Sequence, residues 1–185
     1  MKYAREDLIN RIQKGEELQY VLFWGHTEKP GKVTKACLSQ WYPCRFETNG
    51  IEYCCTEQYM MAQKALLFGD QEIYERIMAS DQAKEIKALG REIRGFEQSK
   101  WDANKYRIVL EGNIAKFSQN EHLNDFLLGT GNAVLAEASP YDGIWGIRLA
   151  MDDPKARQPE CWQGENLLGF ALMETRDILQ ENNRA

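Results

Sequence analysis

The chain has 185 residues, 43% of them hydrophobic, the size and composition of one globular domain with one core. Its net charge of -5 and pI near 5.2 disfavour a dedicated nucleic-acid binder, which carries a basic face for phosphates, but leave room for a local basic pocket. No apolar run approaches the ~18 residues that cross a bilayer, and Met1-Lys2-Tyr3-Ala4-Arg5-Glu6-Asp7 lacks a signal-peptide core. The expected location is cytoplasmic, with no membrane partner.

Five cysteines, with Cys54 and Cys55 adjacent and Cys37, Cys44 and Cys161 scattered, do not form a disulfide framework in a chain this long and read as reduced thiols. Zinc sites use paired ligands two to five residues apart. Here Cys37 and Cys44 are seven apart, and His26 and His122 stand singly, so no metal and no cofactor are expected.

In chain order, Leu8, Ile9 and Ile12 at helical spacing predict a short amphipathic helix over Ala4 to Glu17. Tyr20 to Trp24 reads as a strand, followed by a loop at Pro30-Gly31. Asn49-Gly50 stands between two short arms, Phe46 to Thr48 and Ile51 to Tyr53, a type I′ hairpin signal because both central residues tolerate positive φ. A helix follows with Thr56 as N-cap and Gly69 as the residue that ends it. Further helices are expected over Asp70 to Ala79, opening on an Asp cap, over Asp81 to Leu89, and as one long element over Ser99 to Phe117 with Trp101, Ile108 and Ala115 in its apolar stripe. Glu121 to Leu128 is a helix stopped by Gly129-Thr130-Gly131, Ala133 to Ala138 a strand, and Asn166 to Leu179 a closing helix. Helices and short strands do not alternate regularly, so the fold class is α+β: a single, mostly helical domain with a few short strands, over 1–185.

The Thr56 helix carries the first candidate chemistry. Glu57 and Lys64 are two turns apart on one face, separated by a rise of ~10 Å, room for a small polar ligand. The plainer alternative is a carboxylate suited to a helix start and a solvated amine. Ser139-Pro140-Tyr141-Asp142-Gly143-Ile144-Trp145-Gly146 joins a strand to a Trp-Gly pair; it is either a loop approaching a ligand or a turn with Asp142-Gly143 at its corner. Backbone N–H groups near Glu165 and Asn166 can hold an anion, or Asn166 simply caps the last helix. Trp101 either stacks on a heterocycle or anchors the core.

Taken together these segments resemble the YbiA-like or NADAR family of N-glycosidases. The resemblance is carried by Phe23-Trp24-Gly25, Gly50, Glu57-Gln58-Tyr59, Ala62-Gln63-Lys64-Ala65, Gly90-Arg91, Trp101, Lys116-Phe117 and Leu127-Leu128-Gly129-Thr130-Gly131. It continues through Glu137-Ala138-Ser139, Asp142, Trp145-Gly146, Gly164 and Asn166-Leu167-Leu168-Gly169, spanning about 20–180. It implies a YbiA-like fold and hydrolysis of a C–N bond between ribose and a base-like amine, on ribosylamino-pyrimidine phosphates of early riboflavin synthesis or on ADP-ribosyl guanine. The implied partner is a small-molecule ribosyl-phosphate or ADP-ribosyl substrate; modified nucleic acid is not favoured, and nothing fixes the oligomeric state. Two positions depart from the family pattern. Arg148 stands where a second glycine is expected, and Gln58 where a histidine often follows the glutamate.

Breaking an N-glycosidic bond develops positive charge on the ribose, which a carboxylate stabilises. Glu57, Asp142 and Lys64 are the catalytic candidates, with Lys64 either a phosphate ligand or an amine attacking the opened sugar. Trp24, Gly25, Tyr59, Trp101, Trp145, Arg148 and Asn166 are the substrate-binding candidates. The alternative of a different class is a non-catalytic ADP-ribose or nucleotide-binding module.

Overall fold

The computed structural model describes residues 1–27 and 31–183; Pro30 of the expected loop lies outside them. In chain order the elements are α1 (Arg5–Gln13), β1 (Tyr20–Phe23), β2 (Phe46–Thr48), β3 (Ile51–Tyr53), α2 (Thr56–Phe68), α3 (Gln71–Met78), α4 (Ala83–Leu89), α5 (Gln98–Asp102), α6 (Lys105–Gln119), α7 (Glu121–Gly129), β4 (Val134–Glu137) and α8 (Leu167–Asn182). The class is α+β, mostly helical with a few short strands. The chain divides into two compact units, one of Met1–Ser39 with His122–Ala185 and one of Gln40–Glu121.

In the first unit, β1 and β4 pair in parallel, Tyr20 with Val134 through Phe23 with Glu137. Val134, Leu135 and Ala136 are all fully buried, the continuous apolar run of a strand covered on both faces. α8 packs on β4 so closely that a Cβ at Gly169 would overlap the Leu135 carbonyl oxygen. At the other end of α8, Arg176 donates to Thr130 Oγ1 at 2.7 Å and to the Ala133 carbonyl at 3.0 Å, tying down the turn before β4. Tyr3 Oη donates to Asp177 at 2.6 Å and docks the N-terminal segment on the same helix.

The second unit is built around α2, which packs against α3, α4 and α6. Every residue from Thr56 to Ala62 is buried, the signature of a helix enclosed on all sides. α6 approaches at Gly112, where a Cβ would stand 2.7 Å from the Tyr59 ring. The hairpin forms with Asn49 at φ 53° and Gly50 at φ 77°, and its Phe46 and Tyr53 rings join Tyr59 in one aromatic cluster with centroids 5.1–6.1 Å apart. Gly69 ends α2 in the left-handed region, and Asp70 then caps α3 by accepting from Ile73 N.

Three local expectations are corrected. The N-cap of α2 is Cys55; the Thr56 hydroxyl is instead turned to the Gln40 carbonyl at 3.1 Å. The long helix expected over Ser99 to Phe117 is two helices, α5 and α6, broken at Ala103 and Asn104. There the Asn104 amide donates to the Lys100 carbonyl at 2.8 Å, the local competition with helical bonding that asparagine offers. Asn166 precedes α8 without a side-chain cap, in the left-handed region at φ 55°.

Candidate active site

Glu57 sits in the first turn of α2, 2% exposed, with its backbone N–H donating to the Gln40 carbonyl at 2.9 Å. Two turns on, Lys64 donates from Nζ to the Gly90 carbonyl at 2.8 Å. The ammonium lies 4.6 Å from the Phe96 ring centroid and 5.5 Å from that of Trp101, close enough for cation–π attraction to both. Burial pushes the Lys64 amine below its ordinary pKa, partly opposed by the Glu57 charge. The two catalytic candidates of α2 therefore form one electrostatic pair.

The loop holding this amine is fixed. Arg94 gives Asp70 three hydrogen bonds: N and Nε to Oδ2 at 2.8 and 3.0 Å, and Nη2 to Oδ1 at 2.6 Å. Those bonds hold the Asp70 carboxyl far below the usual carboxylate range. Gly90 and Phe96, both partners of Lys64, flank Arg94 in the segment between α4 and α5. Residue-level reading of the sequence missed Phe96 and this latch. The only local signal for the latch was the helix-capping aspartate, since its partner is 24 residues away.

Tyr59 is 6% exposed in the aromatic cluster, with its hydroxyl pushed up to about 12 by burial. Trp101 is 8% exposed. Gln58 accepts from Cys54 N at 2.8 Å and donates to the Ile77 and Ser80 carbonyls at 3.2 and 2.8 Å, so its amide closes the start of α2 against the end of α3. All five cysteines are free, and the Cys54 and Cys55 sulfurs are 3.9 Å apart.

The remaining candidates lie in the other unit. Asp142 Oδ1 accepts from the backbone of Ile144 at 2.9 Å and of Trp145 at 2.8 Å, an Asx turn that sets the position of the half-buried Trp145. Trp24 is exposed, 6.1 Å from the Tyr141 ring, and Gly25 follows at φ 84°. Arg148 is exposed with φ 57°, the left-handed conformation that a glycine would hold without strain.

The anion site read at Glu165 and Asn166 is overturned. Glu165 N donates to the Gly143 carbonyl at 3.0 Å, Asn166 N to Gly146 at 3.2 Å, Leu167 N to Ile144 at 3.2 Å and Leu168 N to Trp145 at 3.1 Å. These donors stitch the Asp142 loop to the start of α8 and are spent within the chain. The Asn166 side chain continues the seam, accepting from Glu137 N at 3.0 Å and donating to the Leu135 carbonyl at 3.0 Å, with no exposed surface. Gly164 belongs to the same seam, since a Cβ there would overlap the Gly146 carbonyl.

Among the described residues no group of three or more His, Cys, Asp and Glu converges as a metal site, and no helix is long and apolar enough to cross a membrane.

The chain matches the family model described as the NADAR domain over residues 22–180, segments of both units. It is 45% identical over 168 residues to an N-glycosidase of Acanthamoeba polyphaga mimivirus, covering 88% of this chain and 98% of that one. A riboflavin biosynthesis protein of Vibrio vulnificus is 30% identical over 145 residues, 78% of this chain and 36% of its own length. The NMR structure of the E. coli protein YbiA superposes with a TM-score of 0.73 at 23% identity, covering 91% of this chain and 89% of that chain, a likeness of fold. With the family model spanning most of its length and so close a relative matched almost end to end, the chain belongs to the NADAR domain family.

Proposed function

We propose that this protein is an N-glycosidase that hydrolyses the C–N bond between a phosphorylated ribose, as ribose 5-phosphate or ADP-ribose, and a heterocyclic base or amine, with the whole chain acting as one catalytic domain. The observation that carries the reading is the pairing on α2 of a carboxylate enclosed in the protein with an amine whose pKa is lowered by burial. A purely structural helix rarely sets a buried carboxylate and a half-buried amine close enough to feel each other's charge. The name of the mimiviral relative supports the reaction class, and that of the Vibrio vulnificus relative supports a riboflavin-related ribosylamino-pyrimidine phosphate as substrate.

As the bond to the amine lengthens, positive charge develops at the anomeric carbon and ring oxygen. Glu57 stabilises that charge and orients the attacking water. Water adds to the anomeric carbon, the bonding pair leaves with nitrogen, and the proton lost by water is balanced by protonation of the departing amine. Asp142, held by its Asx turn, is the catalytic candidate of the other unit. Lys64 acts either on the substrate phosphate or, covalently, on the opened sugar. Trp24, Gly25, Trp145 and Arg148 contribute binding contacts, while Tyr59 and Asn166 act by holding their elements in place.

The test is release of reducing sugar phosphate from a ribosylamino-pyrimidine 5′-phosphate and, in parallel, of ADP-ribose from ADP-ribosyl guanine. Glu57→Gln keeps the side chain's shape and removes its charge, so turnover should fall by about 10²–10³ with an unchanged fold. Asp142→Asn keeps the Oδ1 acceptor of the turn and should lose turnover with near-native melting. Wild-type turnover in Glu57→Gln would remove Glu57 from the mechanism.

A further inference from the structure

Lys64 faces two aromatic rings that differ sharply in exposure. Trp101 is 8% exposed, so little of the indole is left for a ligand to cover. Phe96 is 42% exposed, although one face is already 4.6 Å from the Lys64 ammonium and its ring is 5.2 Å from that of Phe68. A large aromatic side chain held beside a half-buried amine, with 42% of its surface in water, has room for a flat ligand to cover it.

The backbone around Phe96 is built to hold it still. Gly95 takes φ 67°, the left-handed conformation that turns the chain, and Arg94, one residue earlier, is latched to Asp70 through main chain and guanidinium. At the other end of the segment the Gly90 carbonyl is held by Lys64 itself at 2.8 Å. A ring pinned from both sides loses little freedom when a flat ligand covers it, which is the condition for efficient stacking.

From this we infer that Phe96 is the platform on which the planar leaving base stacks, and that Trp101 supports Lys64 from behind as a packed core residue. The inference rests on the N-glycosidase reading and deepens it, since it restricts the leaving group to a flat heterocycle. An aliphatic amine on the same ribose phosphate would find no use for the ring. The platform also places the base beside the amine. In the sequence Phe96 was invisible because it sits between a charged turn and a short helix, with no periodicity to mark it.

Steady-state release of sugar phosphate from a ribosylamino-pyrimidine 5′-phosphate tests this in wild type, Phe96→Leu, Phe96→Tyr and Trp101→Phe. Replacing an aromatic stacking partner by an aliphatic one should raise KM about tenfold, with a smaller change in kcat and a smaller loss of melting temperature than in Trp101→Phe, because Phe96 is 42% exposed and Trp101 8%. Phe96→Tyr should behave as wild type, and Trp101→Phe should lower the melting temperature. An unchanged KM in Phe96→Leu, or a rise in Phe96→Tyr equal to that in Phe96→Leu, overturns the platform. A wild-type protein that releases no sugar phosphate from any ribosyl substrate overturns the glycosidase reading instead, so the two failures are separate.

Discussion

Asp70 and Arg94 are joined by three hydrogen bonds spanning 24 residues, and through them the cap of α3 and the loop that supports Lys64 become one structure. One carboxylate thus serves two purposes: its Oδ1 also receives Ile73 N at 3.3 Å. A charge-assisted, two-pronged pair of this kind resists rearrangement better than a single surface ion pair.

The pH dependence follows from that pair. Because the folded Asp70 carboxyl is depressed, its stabilisation is fully present above the unfolded value of about 4 and is lost as pH falls through the lower, folded value. Asp70→Asn should therefore melt earlier than wild type at pH 7, with the gap closing as the pH is taken well below 4. Thermal melts across that range provide the measurement. A gap that stays constant with pH would mean that the cap geometry, and not the charge, is what Asp70 supplies.

Asn166 makes a sharper stability prediction. Its amide is enclosed, with oxygen on Glu137 N and nitrogen on the Leu135 carbonyl. Truncation to Ala leaves both backbone groups buried without this partner, at about 1–3 kcal/mol each, so chemical denaturation of Asn166→Ala should show a loss of about 2–6 kcal/mol. Asn166→Asp places a carboxylate oxygen against the Leu135 carbonyl and should be at least as harmful at neutral pH. Mild acid should recover part of that loss, because the protonated carboxyl again has a donor.

Where the determinants were local, the sequence was enough. Asn49-Gly50 specifies its hairpin by backbone preference alone, Gly69 closes α2 in the left-handed region, and Asp70 caps α3 as its residue type demands. Where a side chain chose a distant partner, local reasoning failed. Thr56 looked like an N-cap but its hydroxyl goes to Gln40, and the donors near Asn166 looked open to an anion but are taken by the Asp142 loop. The apolar stripe ran unbroken through 99–117, so nothing in its period announced the break that the Asn104 amide accompanies. Of the candidate site, the nearness of Glu57 and Lys64 on α2 was legible because helical spacing puts them on one face. Gly90, Phe96 and Arg94 were not, since the loop that presents them is set by tertiary contacts.

Arg148 offers a trade between stability and binding. It holds φ 57° without being glycine, a conformation that costs an ordinary side chain roughly 1 kcal/mol, and it is exposed, with its Cδ only 3.5 Å from where a Cβ on Gly143 would stand. If the guanidinium binds substrate phosphate, Arg148→Gly should melt slightly later than wild type while KM for a phosphorylated ribosyl substrate rises about tenfold. A higher melting temperature with unchanged KM would leave Arg148 without a part in phosphate recognition.

Lys64 divides the two chemical versions of the reaction, and its lowered pKa is the one feature that speaks for the covalent one. Burial lowers the amine's pKa, which raises the fraction able to attack a carbonyl near neutral pH, whereas a phosphate ligand gains nothing from losing its charge. The pH slope of stability has the same sign as that of Asp70, since both folded values are lowered, but the cause differs: enclosing the ammonium costs free energy below the lowered pKa, and that cost is relieved as pH rises towards the unfolded value of about 10.4. In the covalent version the amine attacks the anomeric carbon of the opened sugar, the heterocyclic amine departs, and water hydrolyses the resulting Schiff base to return the free lysine. Borohydride added during turnover should then reduce the Schiff base to a stable secondary amine, read by mass spectrometry as a sugar-phosphate adduct on the peptide containing Lys64. Lys64→Arg should be inactive although it keeps the charge, and the acid limb of the rate profile should report the deprotonation of this amine. An active Lys64→Arg variant with a raised KM, together with no trapped adduct, would assign Lys64 to the phosphate.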